Sequence, residues 1–142
     1  MKKSDILGWY RRLYRNSLRA VQFSSPSRYV VRDQLRAAFR RTDEIPDKHT
    51  LQRTNWFLQT AAAERGLEHK ILKNLIRMAQ DRSRLKPWKS TYLQGVSHDT
   101  KPLAQANKAM DESAHYHFDM TLAMLNKSMG MCLRCDPTYE PR

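Results

Sequence analysis

Apolar residues return every three or four positions through most of this chain, the spacing that gathers them on one side of a helix. The first such run predicts a helix over roughly 5–22. Ile6, Tyr10, Leu13, Ser17 and Val21 keep helical register, Leu7, Tyr14 and Leu18 widen the stripe, and Ser4 stands where an N-cap belongs. Ser24-Ser25-Pro26 then offers a cap followed by a proline suited to the first helical position. A second helix is predicted over 26–41, with Val31, Leu35, Ala38 and Phe39 on its buried side. Residues 42–47 are polar and carry Pro46, so they read as a loop. A third helix starts near Asp47 or Thr50 and carries Leu51, Trp56, Phe57, Leu58, Ala61 and Ala62. Leu67, Ile71, Leu72, Leu75 and Ile76 are again helical but out of phase with Leu51 and Leu58, so a break or kink is expected near Gly66. Residues 81–100, with Pro87, Gly95 and many polar side chains, predict an irregular stretch in which Trp88 and Tyr92 are candidate anchors. A last helix is predicted over 102–129, with Leu103, Met110, Ala114, Phe118, Leu122, Leu125 and Met129 on one face and Gly130 as its stop. No internal repeat or low-complexity tract interrupts this order.

Composition supports an all-α fold. Glycine (4) and proline (6) are few, and Leu, Ala, Arg, Lys, Gln and Met dominate. A length of 142 residues suits one domain with an extension. No stretch approaches the roughly 20 consecutive apolar residues of a membrane span.

Charge changes the picture more. The chain carries +12, and residues 1–41 alone hold 11 Lys and Arg against two Asp and Glu, a net +9. Arg11, Arg15 and Arg19 recur every fourth residue on the first predicted helix, and Arg28, Arg32, Arg36 and Arg40 do so on the second. Like charges at that spacing repel by a few tenths of a kcal/mol per pair. Two such stripes in succession mark a docking surface for an acidic partner more than a merely solvated face. The N-terminal segment lacks the apolar core of a secretory signal. It is amphipathic, arginine-rich and acid-poor, as mitochondrial presequences are, and is read as a folded helix that doubles as the import signal. The two cysteines, Cys132 and Cys135, are too few for a disulfide framework.

The first helix contains Leu13-Tyr14-Arg15 followed by Leu18-Arg19, and the second ends in Leu35-Arg36-x-x-Phe39-Arg40. Over residues 5–80 the chain resembles the complex I LYR (LYR-motif) family, marked by a Leu-Tyr-Arg tripeptide in the first helix and a phenylalanine about two dozen residues later. The resemblance implies an antiparallel three-helix LYR-type bundle over residues 1–80, with residues 81–142 as a C-terminal helical extension that matches no motif of the family. It implies a mitochondrial matrix adaptor or assembly factor that docks an acylated acyl carrier protein. The carrier itself supplies the acyl-4′-phosphopantetheine, and the adaptor has no cofactor of its own. Carried over to this chain, Tyr14 and Arg15 line the mouth of the site, and Leu13 and Phe39 border the acyl tunnel. The stripes add Arg11, Arg19, Arg36 and Arg40 to the docking face. The client, whether a respiratory complex, the iron–sulfur machinery or a mitoribosome precursor, is left open.

Other constellations carry less. Cys132-x-x-Cys135 with His115 and His117 has the ligand number of a zinc site, but His115-x-His117 sets the two rings on different sides of a helix, and unpaired thiols near a frayed terminus are the simpler reading. No nucleophile, glycine-rich loop or carboxylate pair accompanies His115, Tyr116 and His117, so no enzyme is expected. Met110, Met120, Met124, Met129 and Met131 read as core before adaptable binding surface, and Trp9, Trp56 and Trp88 as packing anchors. Two alternatives remain beside the adaptor. One is a basic RNA- or ribosome-binding module, which the charge permits but which lacks stacking platforms or a recognised motif. The other is a permanent accessory subunit of a respiratory complex.

Overall fold

Helix-forming runs with one apolar stripe each fold as five helices among the described residues of the computed structural model, which are 3–40, 46–84 and 101–135. In chain order these are α1 (Lys3–Ala20), α2 (Ser27–Arg40), α3 (Lys48–Ala63), α4 (Leu67–Arg84) and α5 (Lys101–Met129). No strand occurs among the described residues, and none of their helices is long and apolar enough to cross a membrane. α1 lies chiefly against α3 and also against α2, while α4 packs on α3 and α2. The first four helices therefore close a ring, each touching two neighbours.

Several ends differ from the expected ones. α1 already includes Ser4, which is inside the helix and not its cap. The same helix stops at Ala20, where Phe23 N–H donates to the Leu18 carbonyl (3.1 Å) and Gln22 N–H to that of Arg19 (2.9 Å). This is a Schellman-type end, built with Gln22 at φ 53° where glycine is usual. Pro26 stands just outside α2, its carbonyl accepting from Tyr29 N–H (3.0 Å) and Val30 N–H (3.4 Å). The expected break at Gly66 is present: Glu64 turns extended after α3, and α4 begins at Leu67. α4 runs on through residues 81–84, part of the stretch expected to be irregular; Trp88, Tyr92 and the rest of 85–100 lie outside the described residues. α5 ends as expected, Gly130 taking φ 63° while Met131 N–H reaches back to the Asn126 carbonyl (2.9 Å).

The ring core comprises Trp9, Leu13, Ala20 and Val21 of α1 and its end, Val31 of α2, Leu51, Phe57, Leu58 and Ala61 of α3, and Leu72, Leu75, Ile76 and Ala79 of α4. Two buried polar residues of α1 were not legible as such. Asn16 donates to the Asn55 side chain (2.7 Å), and Ser17 Oγ returns its proton to the Leu13 carbonyl (2.8 Å). Each thereby satisfies the rule that buried polar groups are paired. Of the tryptophans expected to anchor the packing, Trp9 is buried, whereas Trp56 is 52% exposed. α5 packs on the core through Phe118, Leu122 and Leu125, but Met110 (71% exposed), Ala114 and Met129 of the expected face are exposed, and so are Met120 and Met124, so that of the five methionines read as core only Met131 is buried.

Residues 131–135, which follow α5, are not frayed. Met131, Leu133 and Cys135 are buried in the same core as the ring residues, while Cys132 and Arg134 are half-buried. This period of two is that of an extended ribbon.

Candidate functional site

Ring closure leaves an apolar cavity of about 110 Å³ between α1, α2, α3 and α4. Leu13 and Phe39 both line it, together with Leu35, Leu51, Leu58 and Leu75. Leu13 is almost wholly buried, and Phe39 is half-buried at the side formed by α2. α2 buries only Val31 completely, so Val30, Leu35, Ala38 and Phe39 are half-covered and form the thin wall of the cavity.

An aromatic chain joins the motif tyrosine to this wall. Tyr14 stacks on Tyr10 (centroids 6.0 Å apart, planes within 6°), and Tyr10 meets Phe39 edge-on (5.4 Å). Such pairs contribute about 0.5–1.5 kcal/mol beyond simple burial. They hold α1 and α2 together beside the cavity. Tyr14 is half-buried, so one side of its ring faces Tyr10 and the rest is reachable.

The same two helices carry the arginine stripes. Arg11, Arg15 and Arg19 are exposed along α1, and Arg36 and Arg40 are exposed on α2. Arg28 donates to the Tyr29 hydroxyl (2.6 Å) and lies over that ring, with Arg32 also above it. Arg32 bonds Asp33 (2.8 Å), and that hydrogen bond and charge hold its guanidinium above its ordinary proton affinity. The second stripe is thus not uniform: Arg32 is already matched by an acid of its own helix, whereas Arg36 and Arg40 extend it toward the end of α2. Leu13, Tyr14 and Phe39 are brought together by α1–α2 packing, and Arg11, Arg15, Arg19, Arg36 and Arg40 are distributed over the same two helices.

The sequence reading missed the far wall of the cavity. Cys132, Leu133 and Arg134 line it, and Thr54 of α3 stands between them and the core. Thr54 Oγ1 accepts from Cys132 N–H (3.1 Å) and lies 3.2 Å from its sulfur. Burial pushes the Cys132 thiol up, partly offset by the Thr54 hydrogen bond and the Arg134 charge, so it stays protonated at neutral pH. Cys135 Sγ points at the Leu75 carbonyl (3.6 Å), and neither cysteine forms a disulfide. Three alternating apolar residues after a glycine are too short a signal to read as a buried ribbon. Among the described residues no group of three or more His, Cys, Asp or Glu gathers as metal ligands would.

Compared with protein-family models, curated proteins and solved structures, the chain shows no match.

Proposed function

We propose that this chain is a LYR-type adaptor of the mitochondrial matrix that docks an acylated acyl carrier protein and supports assembly of a client complex. The observation that carries the reading is the meeting of Leu13 and Phe39 at one apolar cavity, with Tyr14 tied to its wall and exposed arginines on the same two helices. These are the residues that the LYR resemblance singles out from two separate helices. α1 and α2, with α3 behind them, take the part of the three-helix LYR bundle. α4 is a fourth helix that follows the turn at Gly66 and packs on α3 and α2.

The physics of the site suits a lipid-bearing acidic protein. Clustered positive charge speeds encounter with an acidic surface and fixes orientation more than it adds affinity. Each acyl methylene moved from water into the apolar interior gains roughly 0.8 kcal/mol. Docking by charge and retention by the acyl chain are thus separable: Arg11, Arg15, Arg19, Arg36 and Arg40 serve the first, and Leu13 and Phe39 the second.

The test is co-expression with a mitochondrial acyl carrier protein, affinity capture of this chain and intact mass spectrometry of what accompanies it. The expected result is a stoichiometric complex whose carrier bears a long acyl arm, strongly diminished by Arg15→Ala and by Phe39→Ala. A folded chain that ignores the acylated carrier overturns the proposal and turns the basic face toward RNA or another polyanion.

A further inference from the structure

The cavity beside Leu13 and Phe39 is too small for the ligand just proposed. A void of about 150 Å³ admits a benzene-sized molecule, so about 110 Å³ holds only some four carbons. Residues 132–134 form one part of its wall. Leu133 is buried and lines the cavity with Cys132 and Arg134.

The way this ribbon is held is unlike the rest of the core. Asn126 grips both backbone groups of Leu133, its amide donating to the carbonyl (2.7 Å) and its oxygen accepting from the N–H (2.9 Å). Thr54 takes the Cys132 N–H, and Arg82 donates to the Cys135 carbonyl (2.7 Å) while bonding Asp119 of α5 (2.8 Å). Side chains therefore fasten the ribbon to α3, α4 and α5. The clasp is also incomplete: Arg82 Nε is buried with no hydrogen-bond partner among the described residues. Buried polar atoms left unmatched weaken the closed arrangement relative to an open one in which water reaches them.

We propose that residues 131–135 are a displaceable plug, with Leu133 occupying the space that the distal carbons of a long acyl chain take. This rests on the acyl-binding reading above. Short acyl groups fit in front of Leu133 and leave the ribbon seated. Long ones expel it, so the length of the acyl chain is translated into the position of the C-terminal segment.

Cys132 and Cys135 are the chain's two cysteines, and both ride on the plug, so thiol labelling reports its position without engineering. The full chain is mixed with butanoyl- or hexadecanoyl-loaded acyl carrier protein, and separately with butanoate or palmitate. Iodoacetamide incorporation at each cysteine is followed by mass spectrometry. Hexadecanoyl carrier or palmitate is expected to speed labelling at least about tenfold, as an opening that exposes protected groups does, and the four-carbon ligands to leave it unchanged. Asn126→Ala is expected to speed labelling without any ligand. Leu133→Ala, which removes the obstruction and keeps the clasp, is expected to lessen the palmitate effect. Carrier bound through a long acyl chain with both thiols still protected overturns the plug and leaves the adaptor reading standing. Palmitate-driven exposure without carrier binding supports the plug and overturns the adaptor. Uptake of neither ligand overturns both.

Discussion

α1 presents Trp9, Leu13, Asn16, Ser17 and Ala20 to the core at steps of three and four, whereas residues 131–135 present Met131, Leu133 and Cys135 at steps of two. The helix carries its own backbone hydrogen bonds into the core and needs its neighbours only for apolar contact. The ribbon has no such internal supply, so its main-chain groups are met by Asn126, Thr54 and Arg82. α5, which leads into it, shares this dependence: Met110 and Met124 face outward, and Arg82 ties it to α4 through the His115 carbonyl and Asp119. The first region is thus secured by packing and the second by a few polar clasps. Removing a single side chain should act on them very differently.

The largest effect is expected in the ring. Leu51 is 1% exposed, and Leu51→Ala should lower stability by about 2–5 kcal/mol, seen as a lower denaturant midpoint for the whole chain. A variant within about 0.5 kcal/mol of wild type would show that α3 is not at the centre of the core. Next comes Arg82→Met. Its loss strips partners from the Cys135 and His115 carbonyls and from Asp119, a change of about 2 kcal/mol. Limited proteolysis should cut between α5 and the C-terminus while leaving α1–α4 intact, and uniform sensitivity along the chain would argue that the two regions unfold together.

A smaller loss, about 1 kcal/mol, is expected for Thr54→Val, which keeps the shape of the side chain but removes the acceptor for Cys132 N–H. Amide exchange should then quicken at Cys132 and stay slow in α1. The smallest change runs the other way. Gln22 holds a left-handed conformation that glycine adopts without strain, so Gln22→Gly should stabilise by about 0.5–1 kcal/mol after the extra freedom of glycine in the unfolded chain is subtracted. A fall in melting temperature would show that the Gln22 side chain has contacts that outweigh its strained backbone.

Much of the helical layout was legible from local pattern alone. The break at Gly66 followed from a phase slip between Leu58 and Leu67, and the end of α5 from Gly130. The end of α1 was not, because Gln22 does there what glycine usually does. The buried side of α1 was read a little askew: tyrosines and Ile6 were placed inward, but Trp9, Asn16 and Ala20 are deeper. Periodicity cannot choose among adjacent positions of a broad stripe, and Asn16 is acceptable inside only because Asn55 faces it. In the candidate site, Leu13 and Phe39 were both named from sequence and do share a cavity. The wall opposite them went unseen.

The helices, their order and the concentration of positive charge on the first two depend on residues within a few positions of one another or on simple counting, so local pattern is enough to read them. That four helices close around a cavity, and that residues 132–134 form part of its wall, came only from contacts between distant parts of the chain. Thr54 and Cys132 are 78 positions apart, and Arg82 and Cys135 are 53 apart. No period within a single helix carries information over that distance. Such contacts form because the ring offers an apolar gap and the polar groups of an extended ribbon must be satisfied wherever it is buried.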